Sequence, residues 1–230
     1  AYLNYALRTI EFFDPDYLAI GIEANLLMVN QPEQWPAYVD LHQYVYGELK
    51  TRYPDLPIFA SLLGTALLDG YQHEPDHSQQ MQALADILPY SDYFAISLYP
   101  YLTVYLADEL PSSMWDDLFA LSDKPIAITE TGYPAEAFSL AGGTINIQGS
   151  PEKQAAYIEA LLQEAEARNM AFVINFVLRD YDALYALVPE ADRELARVWR
   201  DTGLYDGEGS PRPALAIWRE ALARPYLPPD

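Results

Sequence analysis

Short apolar segments of strand length alternate with amphipathic helical segments along the 230-residue chain. This alternation limits the possible folds, because it predicts parallel strands joined by helical crossovers. Successive strands begin about 33 to 45 residues apart, which leaves room for one helix between them. The apolar runs predict five strands, at 17–22, 57–63, 93–98, 126–129 and 171–177. We therefore expect a mixed α/β fold built on a parallel sheet.

Apolar residues at helical spacing predict the helices between and after these strands. Ser150 and Pro151 mark one helix start, because serine caps free N–H groups and proline fits the first turn. The predicted helices cover about 2–13, 36–53, 78–88, 114–121, 151–168, 192–202 and 213–222. The stretch around Gly142 and Gly143 is expected to be a loop. Since no linker interrupts the pattern, we predict a single domain over residues 1–230.

Two architectures accommodate this alternation: an open doubly wound sheet and a closed eight-stranded barrel. A doubly wound nucleotide enzyme carries a glycine-rich phosphate turn after a strand, and none of the five predicted strands is followed by one. A barrel has its active site at the carboxyl ends of the strands. We therefore favour a (β/α)8 TIM barrel, of which only the C-terminal five βα units, strands 4 to 8, are apparent. A second chain or a missing N-terminal segment is expected to complete the barrel.

The chain carries 34 acidic and 13 basic residues, for a formal net charge of −21. Such a charge repels phosphate backbones and anionic membrane surfaces, so we expect neither nucleic acid nor a membrane as a partner. The absence of cysteine excludes thiolate nucleophiles and cysteine-bound zinc. The first residues lack a signal peptide's charged start and cleavage site. The compartment stays open, and an extracellular or cell-surface location is compatible with the sequence.

Two glutamates follow buried strands: Glu23 comes after 17–22 and Glu130 after 126–129. Placing a charged side chain at the end of a buried apolar strand costs free energy, so we expect such a residue to have a function. Hydrolysis of a glycosidic bond needs two carboxylates, one as the acid and one as the nucleophile or base. If 171–177 is the eighth strand of a barrel, Glu130 ends the seventh strand and Glu23 the fourth. The two strand ends then lie on opposite sides of one barrel mouth, which predicts a catalytic pair.

Three motifs resemble one enzyme family: IGIEAN at 20–25, ISLYPY at 96–101 and ITETGYP at 128–134. They are similar to the retaining glycoside hydrolases of clan GH-A, whose (β/α)8 barrels carry glutamates on strands four and seven. The nearest resemblance is to the arabinogalactan endo-β-1,4-galactanases and their relatives. It implies an enzyme without a cofactor that cleaves a β-linked carbohydrate substrate by double displacement. Glu130 would be the nucleophile, and Glu23 the general acid and then the general base.

The same resemblance implies that Tyr99 lies near Glu130 and that further side chains surround the sugar. The candidate substrate-binding residues are Asn25, Tyr99, Tyr101, Tyr133, Asn175 and Arg179. Two positions depart from the family pattern. Ile22 stands where the clan has an asparagine before the acid glutamate, and the tryptophan that often ends strand eight is absent. These departures support a second hypothesis, a catalytically silent barrel that binds saccharide or acts as a scaffold.

Several polar residues are compatible with two roles. Tyr99 and Tyr101 fit either a sugar contact or the edge of the core, and Arg179 either binds substrate or pairs with Asp180. One loop also gathers four potential metal ligands, His73, Glu74, Asp76 and His77. Their spacing fits no helical ligand pair. We therefore expect a polar loop there and no metal site.

Overall fold

The computed structural model describes residues 1–72, 76–106 and 110–225. Helices and strands alternate along this part of the chain, as in a mixed α/β protein. Its helices are α1 (Tyr2–Phe13), α2 (Asn25–Asn30), α3 (Trp35–Arg52), α4 (His77–Ile87), α5 (Met114–Phe119), α6 (Pro151–Ala167), α7 (Asp182–Tyr185), α8 (Arg193–Arg200) and α9 (Pro213–Leu222). Its strands are β1 (Leu18–Ala19), β2 (Ile58–Phe59), β3 (Ser61–Leu63), β4 (Phe94–Leu98), β5 (Ile126–Thr131), β6 (Phe138–Leu140), β7 (Ile145–Ile147) and β8 (Val173–Asn175).

Every helix predicted from the sequence is present, whereas the strands before β4 are shorter than predicted. β1 has two residues, but its backbone pairing continues beyond them, because Ile20 N donates to Phe59 O at 2.7 Å. The strand predicted at 57–63 is divided between β2 and β3 at Ala60. The backbone N–H of Ala60 donates a hydrogen bond to Ser91 Oγ, at 3.3 Å, and not to a neighbouring strand. The five predicted strand regions are therefore confirmed, and closure into a barrel stays a prediction.

β6 and β7 correct one prediction, because the glycine-rich segment was expected to be only a loop. The two strands form an antiparallel pair with Phe138 opposite Ile147. Gly142 and Gly143 lie between them with φ of 64° and 93°. Glycine adopts this left-handed region without the steric cost of a Cβ, so it allows the chain to reverse here. The pattern was missed because three-residue strands are too short to show a clear alternation.

The chain divides into two compact units. The first consists of Ala1–Ser97 and Asp116–Thr129, and the second of Leu98–Trp115 and Glu130–Asp230. A single domain over residues 1–230 stays a prediction. None of the helices in the described part of the chain combines the length and the apolar character that crossing a membrane requires.

The first unit is built on parallel strands. β1 pairs with β2 and β3 with β4, both in parallel, and β5 follows β4 in the hydrogen-bonded order. The residues of β4 are buried throughout, as is typical of a parallel strand covered on both faces. Side chains from α1 and α3 form one core with those of the β1 and β2 region. Its buried members are Ala6, Ile10, Leu18, Ile20, Val45, Leu49 and Ile58.

The second unit contains the end of β5, and β8 follows β5 in the hydrogen-bonded order. A buried ion pair fixes the segment after β8. Arg212 Nη1 and Nη2 donate to the two carboxylate oxygens of Asp180 at 2.7 and 2.6 Å, and Gly203 N donates to the same carboxylate at 2.8 Å. Burial raises the pKa of Asp180, and the hydrogen bonds from Arg212 act against that rise. Asp180 therefore pairs with Arg212, and not with its neighbour Arg179.

Candidate active site

Glu130 is the penultimate residue of β5, and its side chain is partly exposed. The hydroxyl of Tyr99 donates a hydrogen bond to Glu130 Oε1. Tyr99 is 2% exposed, and its ring packs edge-to-face on the rings of Tyr101 and Trp199, with centroids 6.0 and 6.4 Å away. Because packing fixes the ring, the carboxylate of Glu130 is held by a rigid donor.

The residues after Glu130 are also fixed. Thr131 Oγ1 donates to Leu98 O at 2.6 Å and lies 2.6 Å from the hydroxyl of Tyr157. Gly132 follows where a side chain does not fit, because a Cβ there would lie 2.4 Å from Phe176 O. That close approach explains why the motif has glycine two positions after the glutamate. The backbone that carries Glu130 is therefore anchored on its C-terminal side.

Glu23 lies beyond β1 in an unusual backbone conformation. Its φ is 46°, in the left-handed region that non-glycine residues rarely adopt. Ser61 Oγ accepts a hydrogen bond from Glu23 N at 3.0 Å, and the hydroxyl of Ser97 donates to Glu23 Oε1. Strained residues of this kind concentrate at functional sites, where the surroundings hold them in place. Both the backbone and the carboxylate of Glu23 are held here by serine side chains.

A cavity of about 440 Å³ adjoins Glu23 within the first unit. Apolar side chains dominate its lining, among them Ile22, Leu26 and Leu41. Ile22 is 75% exposed, which is a high value for an isoleucine. Tyr38 also lines this cavity, and burial, together with the neighbouring Tyr2, raises the pKa of its hydroxyl to about 12. Glu23 thus faces a largely apolar cavity in which the tyrosines stay neutral at ordinary pH.

Two of the candidate substrate-binding residues form hydrogen bonds with other groups of the protein. Asn25 is fully buried; its Nδ2 donates to Leu63 O at 3.2 Å and to Gln80 Oε1 at 2.6 Å, and its Oδ1 accepts from Leu63 N at 2.8 Å. Tyr101 is also fully buried, and its hydroxyl donates to Val198 O at 2.7 Å. These contacts give Asn25 and Tyr101 structural roles, and they leave neither amide proton of Asn25 for a sugar.

The other candidate residues lie in the second unit. Asn175 ends β8, and its Nδ2 donates to Val177 O at 2.9 Å. Arg179 is exposed, and its guanidinium binds Gly207 O through Nε at 3.1 Å and through Nη2. Tyr133 is 5% exposed and belongs to a cavity described below. A substrate contact by any of these three residues stays a prediction.

Stacked aromatic rings line a second cavity, of about 420 Å³. The ring of Tyr157 lies between those of Tyr133 and Trp115, at centroid distances of 5.1 and 6.2 Å, with interplanar angles of 28° and 21°. Ala156 and Lys153 of α6 complete one side of the cavity. Tyr133 of the ITETGYP motif therefore contributes to this aromatic stack.

The residues considered for metal binding show no complete ligand set in the described ranges. His73 and Glu74 lie outside the described residues, whereas His77 opens α4 with its Nε2 3.1 Å from Leu67 O. The acidic side chains that do gather are Glu136, Asp180 and Asp201. Arg200 forms ion pairs with Glu136 and Asp201. Arg212 forms ion pairs with Glu136 and Asp180. Two arginines thus neutralise most of this negative charge, as expected for an ion-pair network rather than a metal site.

The sequence reasoning missed Ser61 and Ser97, the residues that hold Glu23. A signal for Ser97 was present, since Ser97 and Tyr99 are two positions apart, and alternate residues of a strand share a face. Ser61 offered no comparable signal, because it contacts a backbone N–H and lies at a break between strands.

No protein-family model and no curated protein matches the chain. The structure is similar to β-glucuronidase from Faecalibacterium prausnitzii, with a TM-score of 0.61 and 16% identity over 97% of this chain and 34% of that one. It is also similar to a β-glucuronidase from an uncultured Clostridium sp., with a TM-score of 0.58 and 14% identity over 96% and 36% of the two chains.

A third similar structure is that of a β-glycosidase, with a TM-score of 0.59 and 13% identity over 100% of this chain and 68% of that one. The chain spans only about a third of the length of the two glucuronidases. At these identities the likeness shows the fold alone, which is that of a domain in glycoside hydrolases. The finer resemblance to galactanases stays a prediction.

Proposed function

We propose that this chain is part of the catalytic domain of a retaining glycoside hydrolase that acts on a β-linked sugar and needs no cofactor. Glu130 is the nucleophile, and Glu23 is the general acid and base. The observation that carries this proposal is the hydrogen bond from the rigid, buried Tyr99 to Glu130 on β5. The fold shared with glycosidases supports the same chemistry, although fold alone assigns no function.

In the first step Glu130 attacks the anomeric carbon while the bond to the leaving oxygen breaks and Glu23 gives that oxygen its proton. In the second step water attacks the anomeric carbon, Glu23 takes up the proton of the water, and Glu130 leaves as a carboxylate. The Tyr99 hydroxyl orients Glu130 for attack and binds the carboxylate again when it is released. Retention requires the two carboxyl groups to lie about 5 to 5.5 Å apart in the active enzyme.

The barrel is part of the same proposal. In it β1 is strand four, β2 and β3 together are strand five, β4 is strand six, β5 is strand seven and β8 is strand eight. Glu23 then follows the fourth strand and Glu130 lies at the end of the seventh, as in the clan that the motifs resemble. The galactanase-like motifs suggest a β-galactoside, and the structural neighbours named above suggest a β-glucuronide as the alternative.

The cheapest test measures release of nitrophenol from aryl β-galactosides, β-glucuronides and β-glucosides by the wild-type protein and by Glu130→Gln. We expect hydrolysis of at least one glycoside and a loss of at least about a thousandfold in Glu130→Gln, because the amide cannot form the glycosyl intermediate. Glu164→Gln on α6 is the matched control, since Glu164 forms an i,i+4 ion pair with Arg168. Equal rates for Glu130→Gln and wild type would exclude the mechanism.

A silent saccharide-binding barrel is the second candidate. The observation in its favour is Ile22, an exposed apolar residue directly before Glu23 where the resembling clan has an asparagine. An isoleucine makes no hydrogen bond to a sugar hydroxyl, so binding of the sugar in its transition state is weakened. Calorimetry that detects sugar binding, together with no turnover of any aryl glycoside over days, would favour this candidate over the enzyme.

We also propose that further polypeptide, a second chain or an N-terminal segment, covers one face of the first unit and completes the barrel. Helix α1 exposes large apolar side chains, including Phe12 at 81%, Phe13 at 69% and Tyr5 at 68%. Contiguous apolar residues of this size mark contact surfaces. Light scattering tests the second-chain form: a dimer that Phe12→Lys dissociates supports it. If the protein is a monomer and hydrolyses aryl glycosides in that state, it does not need a further polypeptide to complete its active site.

A further inference from the structure

Two buried serines hold Glu23 from neighbouring strands. Ser61, the first residue of β3, is 2% exposed, and Ser97 of β4 is fully buried. The Oγ of Ser61 accepts from Glu23 N at 3.0 Å, and the Oγ of Ser97 donates to Glu23 Oε1. One serine therefore satisfies the backbone of Glu23, and the other fixes one particular oxygen of its carboxyl group.

The position of Ser97 is itself fixed by tight packing. Thr129 Oγ1 of β5 donates to Ile96 O at 3.0 Å, which fastens the backbone beside Ser97. On the other side of β4, Gly64 approaches so closely that a Cβ there would lie 3.3 Å from Ser97 O. Because the backbone of Ser97 cannot move far, its hydroxyl holds Glu23 Oε1 in one place. A hydroxyl on a mobile loop would not provide such orientation.

We infer that Ser97 is a positioning residue that directs the catalytic proton of Glu23 to Oε2, an inference that rests on the proposed function. A protonated carboxyl group has one oxygen that donates and one that only accepts. Since Oε1 accepts the hydrogen bond from Ser97, the proton is carried by Oε2. In the first step Oε2 gives this proton to the leaving oxygen as the glycosidic bond breaks. In the second step Oε2 takes a proton from the attacking water, and Oε1 stays bound to Ser97 throughout.

A purely structural role for Ser97 and the positioning role predict different effects of a Ser97 substitution on the rates with two classes of substrate. Acid catalysis matters for substrates whose leaving group needs a proton and hardly matters for those whose leaving group departs as a stable anion. A misplaced proton donor therefore slows phenyl or alkyl glycosides and spares 2,4-dinitrophenyl glycosides. Loss of packing alone would slow both classes equally.

The first experiment compares Ser97→Ala with wild type on these two classes of glycoside. We expect kcat/KM to fall about 10- to 100-fold with phenyl glycosides and to change less than about threefold with 2,4-dinitrophenyl glycosides. Ser97→Thr keeps a hydroxyl and should restore most of the loss. Ser91→Ala is the matched control, because Ser91 is 1% exposed and its Oγ binds the backbone groups of Ala60 and Ile87. An equal loss on both substrates would overturn the inference.

A second measurement needs no turnover, and so it separates this inference from the proposed function. The carboxyl carbon of Glu23, labelled with 13C and assigned through Glu23→Gln, is followed by NMR as the pH is varied. Removing the Ser97 donor should move the titration midpoint to higher pH, because that hydrogen bond favours the ionised carboxylate. Other titratable side chains, Tyr2, Tyr38 and His42, line the same cavity. They are the same in Ser97→Ala and Ser91→Ala, so they do not explain a shift of the midpoint that only Ser97→Ala shows. Equal midpoints in wild type and Ser97→Ala would contradict the inference even if no glycoside is hydrolysed.

Discussion

At the scale of single residues, one hydroxyl group, that of Tyr99, binds the carboxylate of Glu130. Tyr99 is held by the rings of Tyr101 and Trp199, so its hydroxyl is already in place for the hydrogen bond to Glu130. Donors that are already in place stabilise charge more effectively than donors that must reorient. In the proposed mechanism, such a donor binds Glu130 before it attacks the sugar and again when it leaves as a carboxylate.

Replacing Tyr99 with phenylalanine should lower kcat about 10- to 100-fold, because the ring packing stays and only the hydrogen bond to Glu130 is lost. The measurement is steady-state hydrolysis of an aryl glycoside at saturating substrate. Tyr101→Phe is the control, since it removes a buried hydroxyl that binds Val198 O and no carboxylate. That variant should lose about 1 kcal/mol of stability and keep its kcat. A Tyr99→Phe enzyme with wild-type kcat would exclude the orienting role.

At the scale of secondary structure elements, Asp92 ties α3 to β2. It accepts hydrogen bonds from Tyr46 at 2.7 Å, from Lys50 at 3.0 Å and from Ile58 N at 2.7 Å. Burial by itself raises the pKa of Asp92, but the hydrogen bonds from Tyr46, Ile58 and Lys50 outweigh that effect and lower the pKa below 3.8. The ionised carboxylate therefore stabilises the packing of this helix on its strand.

Asp92→Asn should lower the free energy of unfolding at pH 7 by about 1 to 2 kcal/mol, because three donors then share one neutral acceptor oxygen. The folded pKa lies below 3.8, so the unfolded chain binds the proton first as the pH falls. The advantage of the wild type is therefore complete well above pH 3.8 and is lost below it. Urea unfolding at pH 7 and pH 3 checks this, with Asp55→Asn as an exposed control. A difference between wild type and Asp92→Asn that is the same at both pH values would refute it.

The elements differ in how far the sequence could predict them. Helices α1 and α9 were predicted to the residue, because apolar spacing and neighbouring prolines mark their limits. The β6–β7 hairpin was missed, since strands of three residues give too short a pattern. The contacts of Asn25 were not predicted for another reason: its neighbours in sequence did not reveal that Leu63 and Gln80 would bind its amide. Contacts between distant segments depend on tertiary packing, which sequence periodicity does not encode.

At the scale of the whole molecule, 34 acidic residues face 13 basic ones, so the basic side chains are too few for each carboxylate to have its own partner. The bidentate contact of Arg212 with Asp180 is buried, where an unpaired charge would be costly. Breaking a buried pair by removing one partner leaves an uncompensated charge, which is more costly than losing a surface pair. The stability of the second unit should reflect that difference.

Asp180→Asn should destabilise the protein by about 3 to 5 kcal/mol, because the buried guanidinium of Arg212 loses its bidentate ion pair and is left with the longer contact to Glu136, at 3.7 Å. Glu166→Gln, which removes the exposed partner of Arg224, should cost about 0.5 kcal/mol or less. Tryptophan fluorescence during urea unfolding reports mainly on the second unit, which contains three of the four tryptophans, Trp115, Trp199 and Trp218. Equal losses in the two variants would show that burial of the Asp180 pair has no special weight.

The assignment of Glu130 as nucleophile is tested most directly by trapping the glycosyl intermediate. A 2-deoxy-2-fluoro β-glycoside with a dinitrophenyl leaving group reacts with the nucleophile, and the fluorine then slows hydrolysis of the covalent product. Peptide mass spectrometry should find one added fluorosugar on the peptide that contains Glu130, and none in Glu130→Gln. A label on any other residue, or turnover of glycosides with no trapped intermediate, would contradict the assignment.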